Sequence, residues 1–380
     1  GGFKFEDITV KAGVSDNQGW TTGISMTDIN NDGLMDIYVC KSASLNNSTA
    51  RKNKLFINQG NNSFKELARK YGIDDEAYSS QAYFLDYDKD GDNDMYLVNH
   101  RVDFENNIRI NANTAGKTSS LTTDKLYCND GEHFTDVTQK AGLLNNVWGL
   151  SASISDFNED GWPDIYVCND FIHGDNLWIN NQNGGFENKI HDIMDHTSFF
   201  SIGSDIADIN NDSKPDLIVL DMVSEDHVAN KKNMAAMSTS QFHQLVKLGH
   251  HYQYMSNTLQ LNRGDGMYSD IALTAGVANT DWSWAPLLAD FNNDGLKDLF
   301  VTNGIKRDMT DNDYKIALDK RAAEGKMTLD DLFNLIPSRK IKNYIFENNG
   351  NSGFTKKTDD WGLTQYLNSN GAAYADLDND

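Results

Sequence analysis

"DINNDGLMD", residues 28–36, sets acidic or amide side chains at alternate positions, adds a glycine, and runs straight into the apolar stretch "IYVC". Carboxylates this close repel one another in water, so something must compensate for collecting them. The motif recurs as "DYDKDGDND" at 86, "DFNEDGWPD" at 156, "DINNDSKPD" at 208, "DFNNDGLKD" at 290 and, cut short, "DLDND" at 376. Each complete copy leads into a short run rich in β-branched and aromatic residues, "IYVC", "MYLV", "IYVC", "LIVL" or "LFVT". Such runs suit buried strands better than helices.

A second motif follows each copy at a variable distance: "LFINQGNNSF" at 55, "LYCNDGEHF" at 126, "LWINNQNGGF" at 177, "LQLNRGDGMY" at 259 and "YIFENNGNSGF" at 344. Each reads as strand, Asn/Gly turn, strand. Ahead of each acidic motif an aromatic residue precedes small ones, as in "GWTTGISMT" and "VWGLSASIS", and small side chains suit a strand crowded near a common axis. One unit is thus an inner strand, an acidic loop, a second strand and a hairpin, the pattern of a β-propeller blade.

The expected fold class is all-β: a β-propeller of four-stranded antiparallel blades with two helical insertions. Residues 1–380 read as a single propeller segment, with 1–14 the tail of a blade and 363–380 the head of a further one. Residues 15–75, 76–144, 145–197, 198–277 and 278–362 read as complete blades. The insertions, at about 222–257 and 305–342, contain "STSQFHQLVKLGHHYQY", "DNDYKIALDKRAAEG" and "TLDDLFNLI", with helical periodicity. They are expected to cover a rim or face.

Composition narrows the partners. With 56 acidic against 33 basic residues the formal charge is −23, which argues against nucleic acid or anionic lipid and favours a cationic partner. Hydrophobic residues make up 39% of the 380, enough for a real core. No apolar stretch approaches the length of a membrane span and the start is not signal-like. The chain opens on "GGFKFEDI" without an initiator Met, and the expectation is a piece of something longer. Cys40, Cys128 and Cys168 are too few for a disulfide scaffold and are expected as buried free thiols.

A hard cation such as Ca²⁺ takes six to eight oxygens, from side chains at positions 1, 3 and 5 of a loop, a backbone carbonyl at 7 and a carboxylate beyond. The candidate ligands are Asp28, Asn30, Asp32, Leu34 and Asp36 in the first loop, and Asp86, Asp88, Asp90, Asp92 and Asp94 in the second. The third offers Asp156, Asn158, Asp160, Trp162 and Asp164, and the fourth Asp208, Asn210, Asp212, Lys214 and Asp216. Asp290, Asn292, Asp294, Leu296 and Asp298 follow in the fifth, and Asp376, Asp378 and Asp380 in the partial copy. Leu34, Asp92, Trp162, Lys214 and Leu296 contribute main-chain carbonyls. An EF-hand would need a bidentate Glu at position 12 and a following helix, but position 12 is Val39, Leu97, Val167, Val219 or Val301 inside a strand. The ninth-position Asp is expected to close the shell instead.

Asp, Asn and Gly are also plain turn formers, but turn propensity has no use for a ninth-position carboxylate repeated five times. The expectation is about five complete Ca²⁺ sites and one partial one. Mg²⁺ keeps several waters, and Zn²⁺ would want His or Cys. The second loop, with carboxylates at all four side-chain positions, should hold the ion most strongly. The fourth should be weakest, since Ser213 replaces the glycine and a left-handed turn there costs on the order of 1 kcal/mol.

Other constellations carry less. "HDIMDH" at 191–196, with His243, His250 and His251, reads as solvated or capping histidines rather than a transition-metal site. HExxH, P-loop, GxSxG and paired CxxC motifs are absent from the sequence. Trp282 and Trp284 in "DWSWAPLLAD" could stack on a sugar, but they stand where the other units place their inner strand, so core packing is expected.

The D-x-[DN]-x-D-[GS]-x-x-D loop followed by an apolar strand resembles the FG-GAP or VCBS repeat. "FEDITVKAGV", "GWPDIYVCNDF", "SDIADINNDSKPDLIVLDM", "NTLQLNRGDGMYSDIALTAGV", "DWSWAPLLADFNNDGLKDLFVTNG" and "NGAAYADLDND" resemble the VCBS repeat proteins of Bacteroidetes, similar to the cartilage acidic protein family with its ASPIC/UnbV domain. The resemblance implies a seven-bladed propeller, Ca²⁺ in the loops, export, and a lipoprotein anchor at the outer-membrane surface through a region outside this segment. The function expected is a non-catalytic extracellular or cell-surface module binding a protein or glycan, as an accessory of an outer-membrane uptake complex. The alternative is a secreted polysaccharide lyase or hydrolase on the same scaffold.

Overall fold

The computed structural model describes residues 4–42, 46–102, 119–233, 238–325 and 328–375. Asp376, Asp378 and Asp380 lie outside the described residues. Each complete repeat folds into an antiparallel sheet whose four strands follow chain order. The first sheet comprises Trp20–Thr27, Asp36–Ser42, Lys54–Asn58 and Phe64–Glu66. The second comprises Ser79–Leu85, Asp94–Asn99, Lys125–Asn129 and Phe134–Asp136. Gly149–Ser155, Asp164–Asn169, Asn176–Asn180 and Phe186–Asn188 form the third. Ser204–Ala207, Asp216–Val219, Thr258–Asn262 and Tyr268–Asp270 form the fourth. The fifth contains Asp281–Ala289, Asp298–Asn303, Tyr344–Asn348 and Phe354–Lys356. The fold is all-β and of the propeller type.

The chain divides into two compact units, Gly1–Val167 with Leu177–Asn188, and Cys168–Asn176 with Lys189–Asp380. Within each, one sheet lies face to face on the next. In the first unit Ala82, Phe84, Met95 and Leu97 of the second sheet pack on Ile29, Tyr38, Cys40 and Leu55 of the first. Ala152, Ile154, Ile165 and Val167 of the third sheet meet Tyr87, Tyr96, Val98 and Leu126 of the second in the same way. In the second unit Leu288, Leu299, Val301 and Phe346 pack on Ile209, Ile218, Leu220 and Leu259. Because both of its faces are covered, the strand Asp94–Asn99 is buried at every residue, as is Asp164–Asn169. This is why those runs are continuously apolar rather than alternating. Full burial of each such side chain contributes roughly 1.5–3 kcal/mol. The expected small residues of the first strand appear at these contacts, where Ala82 and Ala152 are 1% and 3% exposed.

Helices occur in both insertions: His227–Asn233 and Thr239–Lys247 in one, Asn312–Ala323 and Leu329–Asn334 in the other. Asp311 caps the helix Asn312–Ala323 by accepting the amides of Asp313 and Tyr314. The first insertion does not open as a helix. Met222–Val223 instead pairs with Asp281 and Trp282, adding a fifth strand at the edge of the fifth sheet. The two insertions touch where Lys232 Nζ meets Asp313 Oδ2 at 2.7 Å. Trp282 is 8% exposed and Trp284 donates Nε1–H to Gly304 O at 2.7 Å, so both serve the sheet rather than a ligand. All three cysteines are free, with Cys40 and Cys168 buried and Cys128 half-buried.

Candidate functional site

Each acidic loop joins the first and second strands of its sheet and adopts one conformation in all five copies. The first-position carboxylate accepts the amides of positions five and six at 2.7–3.1 Å. The fifth-position carboxylate accepts the amide of position seven at 2.9–3.0 Å. Such wrapping needs two left-handed residues. Position six has φ of 82°, 96°, 84°, 68° and 88° at Gly33, Gly91, Gly161, Ser213 and Gly295. Ser213 thus adopts the conformation expected to be costly for a side chain. Position four is also left-handed, with φ of 56–60° at Asn31, Lys89, Glu159, Asn211 and Asn293. The sequence reading missed this second constraint, although Asn at three of the five copies signals it.

The ninth-position aspartates, Asp36, Asp94, Asp164, Asp216 and Asp298, are 0% exposed. One oxygen of each accepts the position-two amide of its own loop at 2.8–3.2 Å. The other accepts the amide of the asparagine ending the third strand, Asn58, Asn129, Asn180, Asn262 or Asn348, at 2.7–2.9 Å. Each oxygen keeps a lone pair, so this arrangement is compatible with a cation ligand that also staples loop to sheet. Burial, reinforced by the first- and fifth-position carboxylates, pushes Asp164 up to about 7 and Asp216 to about 6. Burial also lifts Asp94 to about 7, with Asp88 and Asp90 adding to the shift. Asp36 and Asp298 shift in the same direction for the same reason.

Those asparagines were read only as turn residues, and the structure gives them more. Their Oδ1 accepts an amide of the following turn at 2.9–3.0 Å. In three copies Nδ2 also crosses to the preceding sheet: Asn129 to Ile29 O at 3.3 Å, Asn180 to Tyr87 O at 2.8 Å and Asn348 to Ile209 O at 2.8 Å. One side chain therefore ties a hairpin turn to the acidic loop of the neighbouring repeat. Its signal in the sequence is the asparagine at the same place in all five hairpins.

Neighbouring loops also touch directly. Asn31 Nδ2 donates to Asp92 Oδ1 at 2.7 Å, Lys89 Nζ sits 4.5 Å from the Trp162 ring, and Asn211 Nδ2 donates to Gly295 O at 3.1 Å. In each case a fourth-position side chain reaches position six or seven of the next loop.

The second loop meets the requirements of a cation most directly. Asp86, Asp88 and Asp94 bring carboxylate oxygens within 4.8 Å of one another, and Asp88 Oδ1 is buried without a hydrogen-bond partner. An oxygen left this way is costly unless something positive or protic meets it. In the other four loops position three is Asn, whose Nδ2 donates to the fifth-position carboxylate at 2.8–3.3 Å. Its Oδ1 accepts the fifth-position amide at 3.0–3.3 Å and keeps a second lone pair. The donor set is all oxygen, with main-chain carbonyls available at position seven, which fits a hard divalent ion rather than a thiophilic one. In two copies the residue before the asparagine that ends the third strand faces position three: Cys128 Sγ is 3.9 Å from Asp88 Oδ2, and Glu347 Oε1 is 3.4 Å from Asn292 Nδ2.

The histidines do not assemble a comparable site. His191 and His251 have ring centroids 4.4 Å apart and His173 and His250 6.0 Å, and His251 Nε2 is bonded to Met194 O at 2.9 Å. Burial, with His191 close by, lowers His251 to about 4.

The profile of the FG-GAP-like repeat matches residues 156–219 and 248–301, so the chain carries repeats of that kind at those two places. Comparison with curated protein sequences yields no match. Among solved structures, the chain is similar to an Agrocybe aegerita lectin that recognises non-reducing terminal N-acetylglucosamine, at 14% identity and a TM-score of 0.34, covering 90% of this chain and 81% of the lectin. It is also similar to the Photorhabdus luminescens Tc holotoxin pore, at 14% identity and a TM-score of 0.33, over 77% of this chain and 11% of that one. The V. cholerae biofilm matrix protein Bap1 is similar at 11% identity and a TM-score of 0.33, over 75% of this chain and 35% of its own. Fold and repeats together define the class, an all-β, propeller-type fold that carries FG-GAP-like repeats at those two places. Among the described residues no helix is long and apolar enough to cross a membrane.

Proposed function

We propose that the protein is a calcium-binding, non-catalytic module that presents protein- or glycan-binding surfaces outside the cell or at the outer-membrane surface, as an accessory of an uptake complex there. The observation that carries the calcium reading is the second loop, where Asp86, Asp88 and Asp94 converge around the partnerless Asp88 Oδ1. Support comes from the same backbone path in four further loops and from the −23 charge, which divalent ions would partly offset. In each loop the chain would supply the carboxylates of positions one, five and nine, the position-three side chain and the position-seven carbonyl. A bound Ca²⁺ would neutralise their repulsion and hold the two strands entering and leaving the loop.

The binding reading rests on the division of labour in the fold. Loops carry the variation while the sheets stay regular, and such loops are where recognition concentrates. The joined helical insertions are the natural contact surface. The decisive experiment is calcium titration by calorimetry on the chelator-treated protein, followed by glycan-array and pull-down assays with and without the ion. Micromolar or tighter binding that is lost in Asp88→Ala, with partner capture that disappears on chelation, is the expected result. Absence of heat and an unchanged melting temperature in millimolar Ca²⁺ would refute the calcium reading, and turnover of an array glycan would establish the enzyme alternative.

A further inference from the structure

The first insertion ends in an aromatic cluster that no core consumes. Gln253–Tyr254 pairs in parallel with Thr197–Ser198, and the amides of Thr197 and Phe199 donate to Tyr252 O and Tyr254 O at 3.0 Å. Side chains alternate along such an extended run. Gln253 points inward, 2% exposed, so Tyr252 and Tyr254 point out together and are 48% and 44% exposed. The helix Thr239–Lys247, capped by Ser238 and anchored by the buried Leu245, brings Phe242 against both tyrosines. Its ring centroid lies 6.2 Å from that of Tyr252 and 5.6 Å from that of Tyr254, with the planes inclined by 30° and 27°. Ring quadrupoles favour this offset, near-parallel arrangement. Phe242 is partly buried and backs the pair, which leaves the tyrosine rings to the water.

These rings are held in place. His196 meets the Tyr254 ring edge-on, with centroids 5.2 Å apart and planes at 75°, and its Nε2 lies 3.1 Å from Asp270 Oδ2. Gln260 Nε2 fixes the same residue through His196 O at 3.0 Å. His243 stands edge-on to Phe242 at 5.5 Å. Neither tyrosine hydroxyl bonds to another described residue, so both can donate to and accept from a ligand. Rings fixed before binding lose little freedom when a ligand arrives.

Geometry and charge separate the ligands that stack on exposed rings. A quaternary cation wants rings turned toward one point, as in an aromatic cage, whereas these planes are nearly parallel. A nucleobase would bring phosphates to a chain of charge −23, with Asp270 and the exposed Asp195 beside the rings. An acidic sugar meets the same repulsion. A neutral pyranose offers a flat face of C–H groups, which the negative face of an aromatic ring attracts, and a rim of hydroxyls for the tyrosine O–H groups and for His196 and Asp270. The step of 5.6–6.2 Å from ring to ring is comparable to the length of one sugar unit. We infer, resting on the reading of the chain as a binding module, that Tyr252, Phe242 and Tyr254 form a stacking platform for consecutive units of a neutral glycan chain, with His196 and Asp270 at its polar rim.

The test is affinity electrophoresis and calorimetry of the full chain in Ca²⁺ against glucomannan, xyloglucan, mixed-linkage β-glucan, arabinoxylan and dextran, with polygalacturonate as the acidic control. At least one neutral polysaccharide should retard the protein, and polygalacturonate should not. Tyr252→Ala with Tyr254→Ala should weaken that binding at least about tenfold at an unchanged melting temperature. The corresponding pair of Phe substitutions keeps the ring faces and should bind within about threefold of the wild type. The pair of Leu substitutions keeps apolar area without a flat face and should lose as much as the alanine pair, which it replaces if the alanine pair does not fold. Absence of retardation by every neutral polysaccharide overturns the inference, and so does tighter binding of polygalacturonate. Glycan binding that the alanine pair leaves intact overturns it too, while the reading as a binding module stands with its site elsewhere. Capture of a protein that the alanine pair loses and the leucine pair keeps assigns the platform to protein docking and overturns it as well. Calcium titration should be the same in every variant, so failure here is separable from failure of the calcium reading.

Discussion

Replacing Asn180 by alanine tests the link between repeats most sharply. The side chain is 2% exposed, donates to Tyr87 O in the preceding loop at 2.8 Å and accepts the Gln182 amide at 2.9 Å. Alanine leaves a buried carbonyl and an amide without partners, and each such loss costs about 1–3 kcal/mol, so the sum is about 3 kcal/mol. Asn58 in the same unit is the matched control. It accepts the Gly60 amide at 2.9 Å but donates to Met35 O at an exposed position, where water can replace it, so Asn58→Ala should cost about 1 kcal/mol. For a cooperative unit of this size 1 kcal/mol corresponds to roughly 2–4 °C, which puts Asn180→Ala at about 6–12 °C and Asn58→Ala at about 2–4 °C. Differential scanning calorimetry of the two variants at one calcium concentration measures both. Equal shifts would show that the cross-repeat bond contributes nothing and would refute the argument that Asn180 ties the two repeats together.

Three further expectations follow from the loops. Because burial raises Asp94 and Asp164 to about 7, the ion-free fold binds more protons than the unfolded chain. Its stability should therefore be greatest below about pH 4 with respect to these groups, and should fall as pH rises toward 7. Calcium-saturated protein should lose that dependence, and calorimetry in two buffers of different ionisation enthalpy should detect protons released on binding. Ser213→Gly should relieve the left-handed strain at φ 68° and stabilise the second unit by about 1 kcal/mol, read as a higher melting temperature. Gly33→Ala should cost a similar amount through φ alone, since a Cβ there meets nothing within 4 Å.

The repeat, its strand order and the acidic loops were legible because they rest on local rules. A continuous apolar run bounded by a turn motif reads as a buried strand wherever it occurs, and five aligned copies make the reading redundant. Ser213 was legible for the same reason, because a left-handed position needs only its own backbone to be recognised. The left-handed fourth position was not, since Lys89 and Glu159 hide it in two copies. Met222–Val223 looked like the mouth of a helical insertion and became an edge strand, because its partner Trp282 lies far along the chain.

What the sequence determined by itself was the unit: where each strand falls, where the chain turns, and where the acidic loops stand between first and second strands. Only the tertiary structure decided what those units do to one another. It showed that the ninth-position carboxylate staples loop to third strand, and that Asn129, Asn180 and Asn348 reach across to a neighbouring repeat. The physical reason is range. Backbone conformation and apolar periodicity are set within a few residues, whereas desolvation and hydrogen-bond satisfaction depend on which distant segment closes over a face.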